Sequence, residues 1–201
     1  MNTHNIFEKN TRWHKRFLDM AKLISTWSKD PSTKCGAVIV DPQKRVISMG
    51  FNGFPAGTND DSDLYQNREQ KYKRIIHAEK NAILFAKQDL TGCSIYVWPM
   101  LPCTQCAAAI IQSGIKKVII PEISERNKVD RWGEDFKETQ KLLGEAVVGL
   151  LVIGIIKDSD PEEIVENKEV KHNIKECTTW LPPEPEPDPP GFLGFPKIPL
   201  P

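Results

Sequence analysis

Between Ser94 and Ile153 three short apolar runs alternate with two stretches of helical period, and this alternation constrains the fold more than any other feature. Ser94–Trp98, Lys116–Ile120 and Val147–Ile153 read as strands, while Cys103–Ser113 and Arg131–Glu145 read as helices. Strands joined through helices must pair in parallel, because a crossover of that length returns the chain in the same direction. Upstream, Trp13, Phe17, Met20, Ala21, Ile24 and Trp27 recur every three or four residues, which predicts an amphipathic first helix halted by Pro31. Cys35–Val40 and Arg45–Met49 flank an Asp41-Pro42 turn and read as a hairpin. A polar loop is expected from Gly50 to about Lys73, then a helix over His77–Lys87. Together these elements predict an α/β fold of three layers, α/β/α, with a five-stranded mixed sheet and helices on both faces.

The ends of the chain behave differently. Nine of the 16 prolines fall in the last twenty residues, a density that neither a helix interior nor a central strand tolerates. The expected organisation is a folded domain over residues 1–156, a charged extension over 157–180 and a proline-rich tail over 181–201. The tail reads as an extended spacer, Pro182–Pro190, followed by an apolar segment, Gly191–Pro201, suited to docking on a groove. Lysine plus arginine equals aspartate plus glutamate at 27 each, which argues against an affinity built on many phosphates, so no polynucleotide partner is expected. No apolar run reaches the ~18 residues of a membrane span, and Met1–Asn10 lacks a signal-peptide core. Five cysteines, an odd count in a chain of this length, fit a reducing compartment, and a cytoplasmic location is expected.

Two motifs carry chemistry: His77-Ala78-Glu79 opens one predicted helix, and Pro102-Cys103-Thr104-Gln105-Cys106 opens the next. Cysteines at i and i+3 share a helix face, so both sulfurs can reach one ion. A helix start carries partial positive charge, which favours the thiolate that binds metal. With His77 the set comprises three borderline-to-soft ligands, a combination that suits Zn2+ and leaves a fourth tetrahedral position for water. Glu79 lies too close in sequence to His77 to join it as a ligand on a regular helix and is better placed to carry protons. Each residue alone has an ordinary alternative: a helix-start histidine, a first-turn glutamate, two small buried cysteines or a redox pair. The joint pattern favours a catalytic zinc.

The signature His-x-Glu…Pro-Cys-x-x-Cys is that of zinc-dependent nucleobase deaminases. With Ser28-Lys29-Asp30-Pro31-Ser32 and Gly50-Phe51-Asn52-Gly53-Phe54-Pro55, the chain resembles the cytidine/deoxycytidylate deaminase superfamily, and within it the deoxycytidylate (dCMP) deaminase branch. Cys35 stands where that branch usually has valine, and the Tyr96–Pro102 connection is one residue longer than in its animal members. The resemblance implies a cytidine-deaminase-like fold and hydrolysis of dCMP to dUMP and ammonia by a zinc-bound hydroxide, with Glu79 shuttling protons. It implies that the Ala78 N–H binds the base carbonyl and that Asn52 bridges sugar and backbone. Ser28, Lys29 and Lys34 then flank the mouth as phosphate donors, with Arg74 nearby. It further implies a homo-oligomer, hexamers being frequent, activated by dCTP and inhibited by dTTP through an effector site at Asn52 and Gly53. Other readings share the zinc motifs: a cytidine, guanine or polynucleotide deaminase, or a non-catalytic zinc-binding interaction protein. Intact Glu79 argues against the last, and the absence of a basic stripe argues against the polynucleotide.

Overall fold

The computed structural model describes the backbone of residues 4–122 and 126–154, and the side chains of residues 12–122 and 133–154. The extension and tail expected over 157–180 and 181–201 lie outside the described residues. The elements in chain order are α1 (His4–Ser25), β1 (Gly36–Val40), β2 (Val46–Phe51), α2 (Ser62–Gln66), α3 (Arg68–Arg74), α4 (Ala78–Ala86), β3 (Ser94–Trp98), α5 (Thr104–Gln112), β4 (Lys117–Pro121), α6 (Arg126–Glu145) and β5 (Gly149–Ile153). They build one sheet in the order β2-β1-β3-β4-β5. β1 pairs antiparallel with both β2 and β3, whereas β3–β4 and β4–β5 are parallel, as the helical crossovers require.

Alternation along β1, β3 and β4 sorts the side chains onto two buried faces. Val38, Val40, Tyr96 and Ile119 meet Phe17, Leu18, Ala21 and Ile24 of α1 on one side. Ala37, Ile39, Ile95, Val97, Val118 and Ile120 meet Ala78 and Ala82 of α4, Ala107 and Ile110 of α5, and Phe136 and Leu143 of α6 on the other. Each large aliphatic or aromatic side chain buried this way contributes about 1.5–3 kcal/mol, which makes the two-sided sheet the dominant stabilising feature. The three-layer expectation holds.

Two glycines set how close the layers come. A Cβ at Gly36 would overlap the carbonyl oxygen of Ala21, and one at Gly50 would lie 2.5 Å from both Ala78 O and Ala82 N. Only glycine lets β1 sit against α1 and β2 against the first turns of α4 at this distance. The second contact fixes the start of α4, where His77 and Glu79 lie.

The sequence reading needs correction at several boundaries. The stretch expected as a loop from Gly50 to Lys73 begins inside β2 and contains α2 and α3. Asn67 caps α3 by accepting from Gln70 N at 3.1 Å, an Asn-x-x-Gln start signal that the polar composition concealed. α1 begins at His4 and α6 at Arg126, both earlier than their apolar periods suggested. β5 begins at Gly149, because Val147 has φ of 55° and closes the turn after α6. No helix among the described residues is long and apolar enough to cross a membrane.

Candidate active site

The two motif helices start side by side under the sheet. His77 is the N-cap of α4 and Cys103 the N-cap of α5, both with extended backbone (ψ 155° and 163°), and neither side chain caps its own helix. Released from capping, the two side chains turn toward each other. His77 Nδ1 lies 3.4 Å from the Sγ of Cys103 and 3.4 Å from the Sγ of Cys106, and the three ligand atoms all lie within 4.8 Å of one another. A tetrahedral zinc with Zn–S of ~2.3 Å and Zn–N of ~2.05 Å requires a nitrogen–sulfur edge of about 3.6 Å. The observed edges match that within a few tenths of an ångström, so the residues present fit zinc and would supply three of its ligands. The Cys106 contact, and then His77, lower the Cys103 thiol below the usual range, while the same contact and burial raise Cys106.

Glu79, in the first turn of α4, is 5% exposed and faces the same cavity as His77 and Cys103. Burial pushes its carboxyl above the ordinary range, opposed by the positive charge of His77. A carboxyl poised this way can hold a proton and release it to a neighbour. Ala78 is fully buried and opens α4, so its N–H belongs to the set that a helix start leaves without an intrahelical acceptor.

The cavity holds about 360 Å3, within the ~300–1,000 Å3 of small-molecule sites. Asn52 lines one wall, with Oδ1 accepting from Cys35 N at 2.7 Å and Nδ2 donating to Thr33 O at 2.9 Å. Ser28 stands behind it, buried, its hydroxyl donating to Asn52 O at 2.8 Å and accepting from Asp30 N at 3.1 Å. Gly53 is tied by two backbone bonds to Ile76, next to the histidine. On the far side of the metal ligands, Thr104 donates its hydroxyl to Asp135 of α6 at 2.7 Å, and Thr139 donates to Pro102 O at 3.1 Å. These bonds lock the start of α5 to α6, and Phe136 from the same helix closes the cavity.

The cations expected at the mouth are distributed differently. Lys29 Nζ lies 2.6 Å from Asp60 Oδ2, and Asp60 also accepts from Tyr65 Oη at 2.7 Å. Tyr65 stacks on Phe54 at 4.1 Å, so Lys29 clips the segment that carries α2 and α3. Lys29, Lys34 and Arg74 are exposed and are not among the lining residues. Instead α3 supplies Arg68, Lys71 and Tyr72. Lys71 is buried, its Nζ 3.1 Å from Asp30 Oδ1 and 3.0 Å from Ser32 Oγ. Sequence reasoning missed Arg68, Lys71 and the role of Asp30, because nothing local separates a lysine turned inward from its solvated neighbours.

A mixed sheet carrying a three-ligand metal cluster and a buried glutamate at two adjacent helix starts defines a zinc-dependent hydrolytic domain. The family model described as "Cytidine and deoxycytidylate deaminase zinc-binding region" matches residues 11–122. The chain belongs to the cytidine and deoxycytidylate deaminase family, whose members bind zinc. It is 51% identical over 138 residues to an uncharacterized deaminase encoded in the luxG 3' region of Aliivibrio fischeri, covering 69% of this chain and 91% of that one. It is 41% identical over 113 residues to the deoxycytidylate deaminase of Mus musculus, covering 53% of this chain and 63% of that protein. The chain thus spans less than two thirds of the mouse relative's length. Its fold is shared with the dCMP deaminase of the cyanophage S-TIM5 in complex with dCMP and dUMP, at a TM-score of 0.52 and 24% identity over 70% of this chain and 95% of that one.

Proposed function

We propose that the protein hydrolyses dCMP to dUMP and ammonia. The observation that carries this reading is the buried Glu79 carboxyl facing the same cavity as His77 and Cys103, with Cys106 completing the ligand set. Hydrolysis at C4 of cytosine forms a C4–O bond from water and breaks the bond to the 4-amino group, which departs as ammonia. Zinc, when bound by His77, Cys103 and Cys106, supplies Lewis acidity that brings the pKa of a water toward neutrality. Glu79 takes the proton from the attacking water on a carboxylate oxygen, delivers it to N3, and carries a second proton to the departing nitrogen. Ala78 N–H holds the base carbonyl O2, and Asn52, rigid between Cys35 and Thr33, contacts the sugar. Met100 and Leu101 supply apolar wall against the ring.

The deoxynucleotide is favoured over other bases because the curated animal relatives carry the name deoxycytidylate deaminase. The resemblance carried by Gly50-Phe51-Asn52-Gly53 is what supports the further reading of a homo-oligomer that dCTP activates and dTTP inhibits through Asn52 and Gly53. Initial rates with dCMP, CMP, deoxycytidine, cytidine, guanine and a single-stranded oligonucleotide test the substrate, and repeating the dCMP curve with dCTP or dTTP tests the regulation. Turnover of guanine or of the oligonucleotide in preference to dCMP would sink the reading.

A further inference from the structure

We propose that α3 carries the seat of the substrate's phosphate, made by Arg68 and Lys71 with the Ser32 hydroxyl, and that these residues select nucleotide over nucleoside. The inference rests on reading the cavity as a cytosine-nucleotide site. Among the described residues, the only lysine or arginine side chains lining the cavity are Arg68 and Lys71. They stand at i and i+3 on α3, so they share a helix face.

Their existing contacts leave donors for an oxyanion. Lys71 carries three N–H groups, and Asp30 Oδ1 and Ser32 Oγ take two of them. Ser32 Oγ receives from Lys71, so its own hydrogen is available to a further acceptor. The Arg68 Nε donates to Tyr72 Oη at 3.2 Å, with the guanidinium 5.2 Å from the Tyr72 ring centre. That contact orients the planar fork without engaging its outer nitrogens, and no carboxylate among the described residues pairs with it. A planar fork with free outer donors is the geometry that phosphate takes in bidentate fashion.

Charge bookkeeping points the same way. Asp30 offsets Lys71, which leaves Arg68 as an uncompensated positive charge at this wall. A 5′-phosphate neutralises it, whereas a nucleoside leaves it facing water. The buried pair also links this wall to Asn52, because Asn52 Nδ2 lies 3.4 Å from Asp30 Oδ2. Lys71 and the Asn52 amide are therefore both held by one carboxylate, which ties this wall of the cavity to the other.

The test compares kcat/KM for dCMP and for deoxycytidine in the wild type, in Arg68→Gln, and in the Asp30→Asn/Lys71→Met double variant, which removes the buried pair without orphaning a charge. Charge-assisted contacts of this kind lead us to expect the dCMP-to-deoxycytidine ratio to fall about ten- to a hundredfold in Arg68→Gln, expressed mainly in KM. The double variant should lower the same ratio. An unchanged ratio in both variants overturns the proposal while leaving dCMP deamination intact. A wild type inactive on dCMP overturns the substrate reading instead. Calorimetric titration with inorganic phosphate then decides the seat: binding to the wild type and not to Arg68→Gln supports it, and equal or absent binding in both overturns it.

Discussion

Lys71 Nζ lies 3.1 Å from Asp30 Oδ1 with both side chains only 6% exposed, so α3 is joined to the turn before β1 through a buried ion pair. Asp30 also accepts from the backbone N–H of Ser32 at 2.8 Å, and Ser32 in turn accepts from Lys71. Removing one partner leaves the other charged and desolvated. Lys71→Ala is therefore expected to cost about 3–5 kcal/mol, and the paired Asp30→Asn/Lys71→Met change much less. Urea denaturation of the three proteins measures this, and equal midpoints for single and double variants would show that the pair is solvated.

Glu79 should act on protons and not on metal affinity. Glu79→Gln is expected to keep about one zinc per chain while turnover falls toward the upper end of the 100- to 10,000-fold range typical of a lost general acid–base, since one carboxyl serves several proton steps. Metal content by atomic absorption, read beside kcat, separates the roles. Loss of zinc with the substitution would make Glu79 a ligand.

Zinc removal should destabilise as well as inactivate. His77, Cys103 and Cys106 converge only in the folded chain, and a ligand bound only by the folded state stabilises it by mass action. Dialysis against a chelator is expected to lower the melting temperature and abolish turnover, with zinc restoring both. Cys106→Ser should mimic the chelated protein and resist rescue.

The packing of β2 on α4 makes Gly50 sensitive. A methyl group there would press on Ala78 O and Ala82 N, the backbone of the turns that follow His77 and hold Glu79. Gly50→Ala is expected to cost about 1–3 kcal/mol, as overpacking does, and to reduce turnover at temperatures where the fold persists. Full activity with unchanged stability would mean that α4 moves without consequence.

His14 supplies a pH dependence away from the site. Its Nδ1 lies 2.9 Å from Tyr96 Oη, and burial lowers its pKa below the usual value of 6.5, with Lys117 and Lys44 adding repulsion. As pH falls below 6.5 the unfolded chain takes up a proton that the folded chain resists. The unfolded state then binds more protons, so this contribution to stability is full above 6.5 and is lost as pH falls through the lower folded value. His14→Asn should narrow the gap between melting temperatures at pH 7.5 and pH 5.5. An identical gap in wild type and variant would show that His14 titrates alike in both states.

The grouping of His77, Cys103 and Cys106 beside Glu79 was legible because each motif is local. His77-x-Glu79 and Cys103-x-x-Cys106 each lie within one helical turn, and a turn alone decides which side chains share a face. The sheet was legible for a related reason, since apolar period and crossover length together leave few topologies open. What placed the cations was not local. Lys29 and Lys71 have the same side chain in equally polar surroundings, yet one is held on the surface by Asp60 and the other is buried against Asp30. That difference depends on where α3 lands after the chain has passed through β2, some forty residues beyond Asp30. A buried charge is stable only beside a partner, and which partner arrives is decided when the tertiary structure closes.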